Sequence, residues 1–382
     1  MINKQRLIKL FCELVKIKSP TGSEEQISRR VIFYLKKFGA KVQRDKFGNI
    51  VAKLVGTGKP LILCAHLDTV AVGAGKNIRP IIKKGKIFSD GKTILGADNK
   101  DSIAAILEML NVIKENKIKH CPAAARHRAL EIVFTREEEA ISRGARSLDL
   151  SLLKGKECII SDHCNEYGTI VTSAPGCYKF EIKIFGKRCH VKEPEKGINA
   201  IKIAAEIIRK IPLGKVDNFT NANIGYQIAG LDGVVNKAGA VIDQLFNENR
   251  NTVPDLAILL GEVRGVRSEN LQRALLKIQK IAEKITARFC GRIEFCADKL
   301  TDGYCLKQNN KLILQIKNTF KKQGIEPQFC QALGGSDANI LNNRGIRSVV
   351  IASAHRNNHQ TYEYLIIKDL ERLAEFYLLF VQ

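Results

Sequence analysis

The stretch Leu61-Ile62-Leu63-Cys64-Ala65-His66-Leu67-Asp68-Thr69-Val70 begins as an apolar run and ends in His-x-Asp. A short apolar run bounded by turn signals reads as a buried strand, here a central parallel one. Ligands of open α/β sheets bind beyond the carboxyl ends of strands, where this strand releases His66. Residues two apart on a strand share a face, so His66 and Asp68 can act together. A metal-ligating His commonly has its orientation fixed by a nearby carboxylate or carbonyl. The design recurs along the chain. The apolar run 130–135 leads into Arg136-Glu137-Glu138-Glu139, and the run 158–161 ends at Asp162. Asp98 stands in a loop before a helix rich in Ala, Ile and Leu, and His359 lies in a polar loop after the strand 348–352. Two imidazoles with three carboxylates can build a dinuclear metal site in which one carboxylate bridges. The charges balance, with two divalent cations set against three carboxylates and a bridging hydroxide. An adjacent Glu-Glu then makes chemical sense, because one can ligate while the other takes a proton from water.

The elements that must position these groups follow from periodicity. Residues 5–17 carry apolar side chains at helical spacing, and Ser19-Pro20-Thr21-Gly22 breaks that helix. Ser23-Glu24-Glu25-Gln26 reads as a capping box for a second helix running to about Phe38. Residues 42–55 read as a hairpin turning at 46–49, and the His66 strand follows. A helix over 102–114 and strands at 130–135 and 158–162 complete an alternation that indicates a doubly wound sheet. After Ser173-Ala174-Pro175-Gly176 the pattern changes. A half-exposed strand at 179–185, a helix at 199–211, strands at 223–228 and 256–264, a helix at 271–289 and a strand at 292–296 give a βαββαβ order. From about residue 300 the first pattern returns, with helices at 311–323 and 365–382 and a Gly-rich turn at 334–339 entering a helix. The fold class is therefore α/β, a doubly wound mixed-sheet domain over 1–174 and 298–382. An inserted α+β, ferredoxin-like domain spans 175–297.

The bulk numbers bound the rest. A chain of 382 residues, 45% of them hydrophobic, fits two domains with sizeable cores. No apolar run approaches the roughly 18 residues of a membrane span, and the N-terminus lacks a signal h-region, so the protein reads as cytoplasmic. Eleven scattered cysteines, an odd count with no Cys-x-x-Cys, read as buried free thiols. The formal charge of +23 is spread along the chain, Trp is absent and aromatics are sparse. That argues against nucleic-acid binding as the main role.

In combination the motifs resemble a known family, the dinuclear zinc exopeptidases of the aminoacylase and peptidase T superfamily, and most closely peptidase T-like proteins. The matching stretches are 65–70, 89–98, 135–145, 194–200, 334–339 and 359–364, in order over essentially the whole chain. The resemblance implies two Zn2+ ions per chain, with Co2+ or Mn2+ able to use the same ligands. It implies that Asp98 bridges, that His66 and Asp162 complete one metal position, and that Glu139 and His359 complete the other. Glu138 becomes the general base acting on a water that bridges the two zinc ions, and Asp68 orients His66. Glu137 is left as a solvated neighbour. His190 matches the position of the inserted domain's His that supports the oxyanion, and Asn223 and Arg264 match positions that hold substrate, Arg264 by pairing with its carboxylate. The inserted domain implies a homodimer, and the activity implied is removal of residues from short peptides by a tripeptide aminopeptidase. Alternatives are an N-acyl amino acid deacylase or carboxypeptidase of the same superfamily, or a catalytically silent basic binding protein. The chain departs from the family at His190-Val191-Lys192, at Asn99, where a second Asp is common, and in an apparent insertion between Gly230 and Asn251.

Overall fold

A computed structural model describes residues 1–71, 73, 77–119, 127–232 and 251–382. The insertion expected between Gly230 and Asn251 lies almost wholly outside the described residues. The chain divides into two compact units, Met1–Ser173 with Cys305–Gln382, and Ala174–Tyr304.

The first unit is built on a nine-stranded mixed sheet among the described residues. Its centre is parallel. Arg128–Thr135, Thr57–His66, Glu157–His163 and Arg347–Ala352 lie side by side in that order. Leu61 to Ala65 are at most 1% exposed, as expected of a strand covered on both faces. The covering helices include Lys4–Lys16, Glu25–Lys37, Ala97–Lys119, Lys311–Lys322 and Ile367–Val381. Ala97–Lys119 is buried almost all round through Ile113. Its second and third residues, Asp98 and Asn99, are not helical in backbone angle, so Asp98 does sit in a connection ahead of the regular helix.

The expected hairpin is present as Lys41–Arg44 paired with Ile50–Leu54, and Asp45 Oδ1 accepts the N–H groups of Phe47, Gly48 and Asn49 in its turn. The expected capping box at Ser23 is not. Glu24 occupies the N-cap position and makes no side-chain cap. Its buried carboxylate instead accepts Gly22 N–H at 2.7 Å and the Arg136 guanidinium at 2.6 and 2.9 Å. A charge-assisted contact from a distant strand end outweighs a local cap. A second sheet, ordered His355–Arg356, Tyr364–Ile366, Lys86–Phe88, Ile81–Lys83, has strands too short to show any periodicity. The ten described cysteines are all unpaired, but Cys290, Cys296 and Cys305 are exposed rather than buried.

Among its described residues the second unit has a five-stranded antiparallel sheet and two helices of ten or more residues. Its helices Ala200–Lys210 and Ser268–Arg288 bury Ile203, Ile207, Leu271 and Ile278 against Ile182, Ile184 and Leu259. The order is that expected with one strand added, the short Gly214–Asp217, whose four residues carry no alternation. Among the described residues no helix is long and apolar enough to cross a membrane.

Candidate metal centre

His66 ends its strand and is 2% exposed. Its Nδ1 lies 3.0 Å from the main-chain carbonyl of Asp68. A carbonyl only accepts, so Nδ1 carries the proton and Nε2 presents a lone pair. That Nε2 is 3.0 Å from Asp98 Oδ1 and 3.5 Å from Asp162 Oδ1. The other Asp98 oxygen, Oδ2, faces His359 Nε2 at 3.4 Å, and His359 Nε2 lies 2.8 Å from Glu139 Oε1. One carboxylate therefore stands between two imidazoles, one oxygen toward each.

Ligand atoms of His66, Asp98 and Asp162 lie within 4.8 Å of one another, and the same holds for Asp98, Glu139 and His359. His66, Glu138 and Glu139 form a third such group. The structure thus brings all five expected ligands together, with Glu138 beside them. The donor set fits two divalent cations, with hard carboxylates and borderline imidazoles in two triplets that share Asp98. The electrostatics point the same way. Burial and then the charge of Asp98 push the Asp162 carboxyl up to about 7. Burial also pushes Glu138 well above its ordinary range; His66 opposes this, and Asp162, Asp337 and Glu139 add to it. Burial pushes Asp98 up as well, but His355, His359 and His66 outweigh it and hold its carboxyl well below the usual range. Acids crowded in this way call for positive charge among them.

Asp68 holds more than its neighbour His66. Its Oδ1 is 3.4 Å from His66 Nδ1. Its carboxylate accepts the main-chain N–H of Glu138 at 2.9 Å and of Glu139 at 3.1 Å, and the Thr21 hydroxyl at 2.8 Å. It fixes the turn that carries both glutamates. Glu137, expected to be solvated, is buried in a left-handed backbone conformation and pairs with Arg143 at 2.6 Å.

Three further groups brace the site, and the sequence singled out only Asn99 of them, as a departure from the family. Glu363 accepts the N–H groups of Gly96, Ala97 and Asp98 at 2.7, 3.0 and 3.1 Å, joining the His359 loop to the Asp98 loop. Asn99 donates to Asp162 Oδ1 at 3.0 Å and to the Ser161 carbonyl at 2.6 Å. Asp101 Oδ2 accepts the Ser353 hydroxyl at 2.5 Å and the N–H groups of Ala354 and His355 at 3.0 Å, and lies 3.0 Å from His355 Nδ1. The Nε2 of His355 stands 3.9 Å from Asp98 Oδ2. Glu363 follows His359 by four residues, a spacing that could have raised it. The partners of Asp101 are more than 250 residues away and leave no local signal.

The remaining expected residues lie in the second unit. His190 is exposed, and its Nδ1 accepts Lys192 N–H at 3.1 Å. Asn223 sits opposite Glu262 in the sheet and is exposed. Arg264 is also exposed, and Glu262 engages its guanidinium at 2.8 and 3.1 Å.

Two imidazoles and four carboxylates gathered at the carboxyl ends of central strands and in the loops beside them are the donor set of a metal-dependent hydrolase. The family model of peptidase family M20/M25/M40 matches residues 62–382, and the chain belongs to that family. It is a metallopeptidase. It is 32% identical to a solved tripeptidase from Staphylococcus aureus, with a TM-score of 0.89, covering 100% of this chain and 98% of that one. A solved aminopeptidase PepT from Bacillus cereus is 30% identical with a TM-score of 0.87, at 100% and 98% coverage. The protein YqjE of Bacillus subtilis is 31% identical over 98% of this chain and 97% of its own. Peptidase T of Listeria monocytogenes is 24% identical over 97% of each.

Proposed function

We propose that the protein is a two-metal aminopeptidase that removes residues from short peptides, tripeptides above all. The observation that carries this reading is the placement of Asp98 between His66 and His359. His66, Asp98 and Asp162 would hold one cation, and Asp98, Glu139 and His359 would hold the other. Two divalent cations held there would supply Lewis-acid polarisation of the scissile carbonyl and would lower the pKa of a bound water. Glu138 takes a proton from water as its oxygen adds to the scissile carbonyl, and gives that proton to the amine as the C–N bond breaks. Asp68 keeps Glu138 and Glu139 in register through their main-chain N–H groups. The family resemblance assigns Arg264, Asn223 and His190 of the second unit to substrate binding. Zn2+ suits the imidazole-carboxylate set, and Co2+ or Mn2+ fits the same donors.

The peptide length rests on the two solved relatives named as a tripeptidase and an aminopeptidase. The described cysteines, all unpaired, support a reducing, cytoplasmic setting. A homodimer is supported by the exposed Tyr226 and Ile228 on the strand Thr220–Gly230 of the second unit. Light scattering that returned a monomer at working concentration would remove that part of the reading. The main test is digestion of a free tripeptide beside its N-acetylated form, with zinc present and products read by mass. Release of the N-terminal residue from the free peptide alone is expected. Preference for the blocked form would replace the aminopeptidase with a deacylase, and release from the C-terminus would make it a carboxypeptidase. Less than about one metal ion per chain after zinc loading would favour a silent binding protein.

A further inference from the structure

The parallel strands of the first unit release the metal-centre residues at their carboxyl ends. Their opposite ends open on a cleft of about 1100 Å³. Its walls are the starts of Thr57–His66, Arg128–Thr135, Glu157–His163 and Arg347–Ala352, together with the helix Lys311–Lys322. Main-chain bonds fix the rim, with Arg347 N–H donating to Lys156 O at 2.9 Å and Thr57 N–H to His127 O at 2.9 Å.

Charge in the cleft is one-sided. Glu157 is the one acidic side chain among the described lining residues. Two guanidinium groups already engage it, Arg128 at 2.8 Å and Arg347 at 3.8 Å. Lys59, Lys154, Lys156, Lys311 and Lys322 line the same cleft, and all are exposed. None of these lysines has an acidic partner among the described residues. Lys311 and Lys322 are eleven apart on one helix and therefore share a face, with Gln315 and Asn318 between them. Unpaired cations converging on a concave wall focus the field and draw in anions.

We propose that this cleft binds a compact polyphosphate, either an inorganic chain or the tail of a nucleoside triphosphate. Ammonium groups are compact point charges suited to phosphate oxygens, and the Asn318 amide adds a neutral donor. The volume is of the order of a small-molecule site. Phe380 is the one phenyl ring among the described lining residues, so the cleft lacks the row of rings on which successive bases of a single strand would stack.

The metal-loaded, full-length protein is titrated calorimetrically with orthophosphate, tripolyphosphate and ATP, and by anisotropy with a short labelled single-stranded RNA. Tripolyphosphate is expected to saturate one site and to bind about tenfold or more tighter than orthophosphate. Lys154→Glu/Lys156→Glu/Lys322→Glu should weaken it by about tenfold or more. Lys36→Glu/Lys37→Glu/Lys41→Glu, equal in charge but on another face, should change it by less than about twofold. Equal affinity for ATP and tripolyphosphate identifies the phosphate chain as the ligand, and tighter ATP identifies the nucleotide. Equal loss in both triple variants would reduce the effect to diffuse charge and overturn the proposal. So would an unaltered signal in the cleft variant, which would mark chelation of the loaded metal, or RNA binding tighter than tripolyphosphate. If the cleft variant melts early, Lys59→Glu/Lys311→Glu is judged by the same criteria.

Discussion

Glu363 Oε1 accepts the main-chain N–H of Asp98 at 3.1 Å, and the same carboxylate also holds Gly96 and Ala97. Glu363 is 1% exposed and follows His359 by four residues. The bond therefore sets the distance between two segments that each carry a proposed ligand. Groups that fix ligands from behind typically change metal affinity or activity by about 10- to 100-fold when removed. Glu363→Ala should lose metal by that factor in a chelator competition, with a parallel fall in kcat. Glu363→Gln, which keeps an acceptor but turns an amide toward the donors, should fall between the two. An unchanged affinity in Glu363→Ala would show that the loop holds its shape without the carboxylate.

Glu138 belongs with the proposed ligands in space but is not needed by either triplet around Asp98. Glu138→Ala should keep its metal, and its turnover should fall by about 10²- to 10⁴-fold, the usual worth of a positioned base. Metal content by elemental analysis and kcat on a tripeptide separate the two effects. Near-normal turnover would remove the residue from the proton path. Loss of metal instead would make it a ligand.

His66 and Asp162 were legible because each ends an apolar run, and Asp98 because it stands beside a helix start, where ligands of such sheets gather; His359, in a polar loop well past its strand, was legible through the family resemblance. The two-unit architecture was legible because helix-strand alternation gives way to antiparallel patterning after Gly176. The braces were not. Asp101 meets Ser353 and His355, and Glu24 meets Arg136, across separations of more than a hundred residues. Buried polar pairs of this kind leave no periodic trace. Ser23 misled for the complementary reason. Its capping box is a local signal, and the tertiary pull of Arg136 on Glu24 overrides it. The short strands Lys86–Phe88 and Tyr364–Ile366 escaped because three residues cannot show alternation.

That Glu24 contact makes a stability prediction. The carboxylate is fully buried, Arg136 donates to it twice, and Arg136 is 20% exposed. Removing one partner of a buried charge pair typically costs about 3–5 kcal/mol. Glu24→Ala should lower unfolding free energy by about 3 kcal/mol in denaturant titration. The loss should be smaller in the double variant Glu24→Ala/Arg136→Met, because no charge is then stranded. A single variant within about 0.5 kcal/mol of the parent would show that water replaces the pair.

Asp337 gives the pH dependence. It is 2% exposed, and burial pushes its carboxyl up to about 6; Asp68 adds to the push, while Thr135, bonded at 2.5 Å, and His66 oppose it. The unfolded chain releases the same proton near the ordinary value of about 3.9. Between about pH 4 and 6 the folded state therefore holds more protons than the unfolded state. Its contribution to stability is full below about pH 4 and is lost as the pH rises toward 6. A shift of about two pH units corresponds to at most about 3 kcal/mol. Asp337→Asn cannot titrate, so the parent-minus-variant difference in unfolding free energy should fall by up to that amount across the window and stay flat above it. The measurement is made in chelator, so that metal binding does not add its own slope. A difference that rises with pH instead would mean that the folded state favours the ionised carboxylate, reversing the assignment.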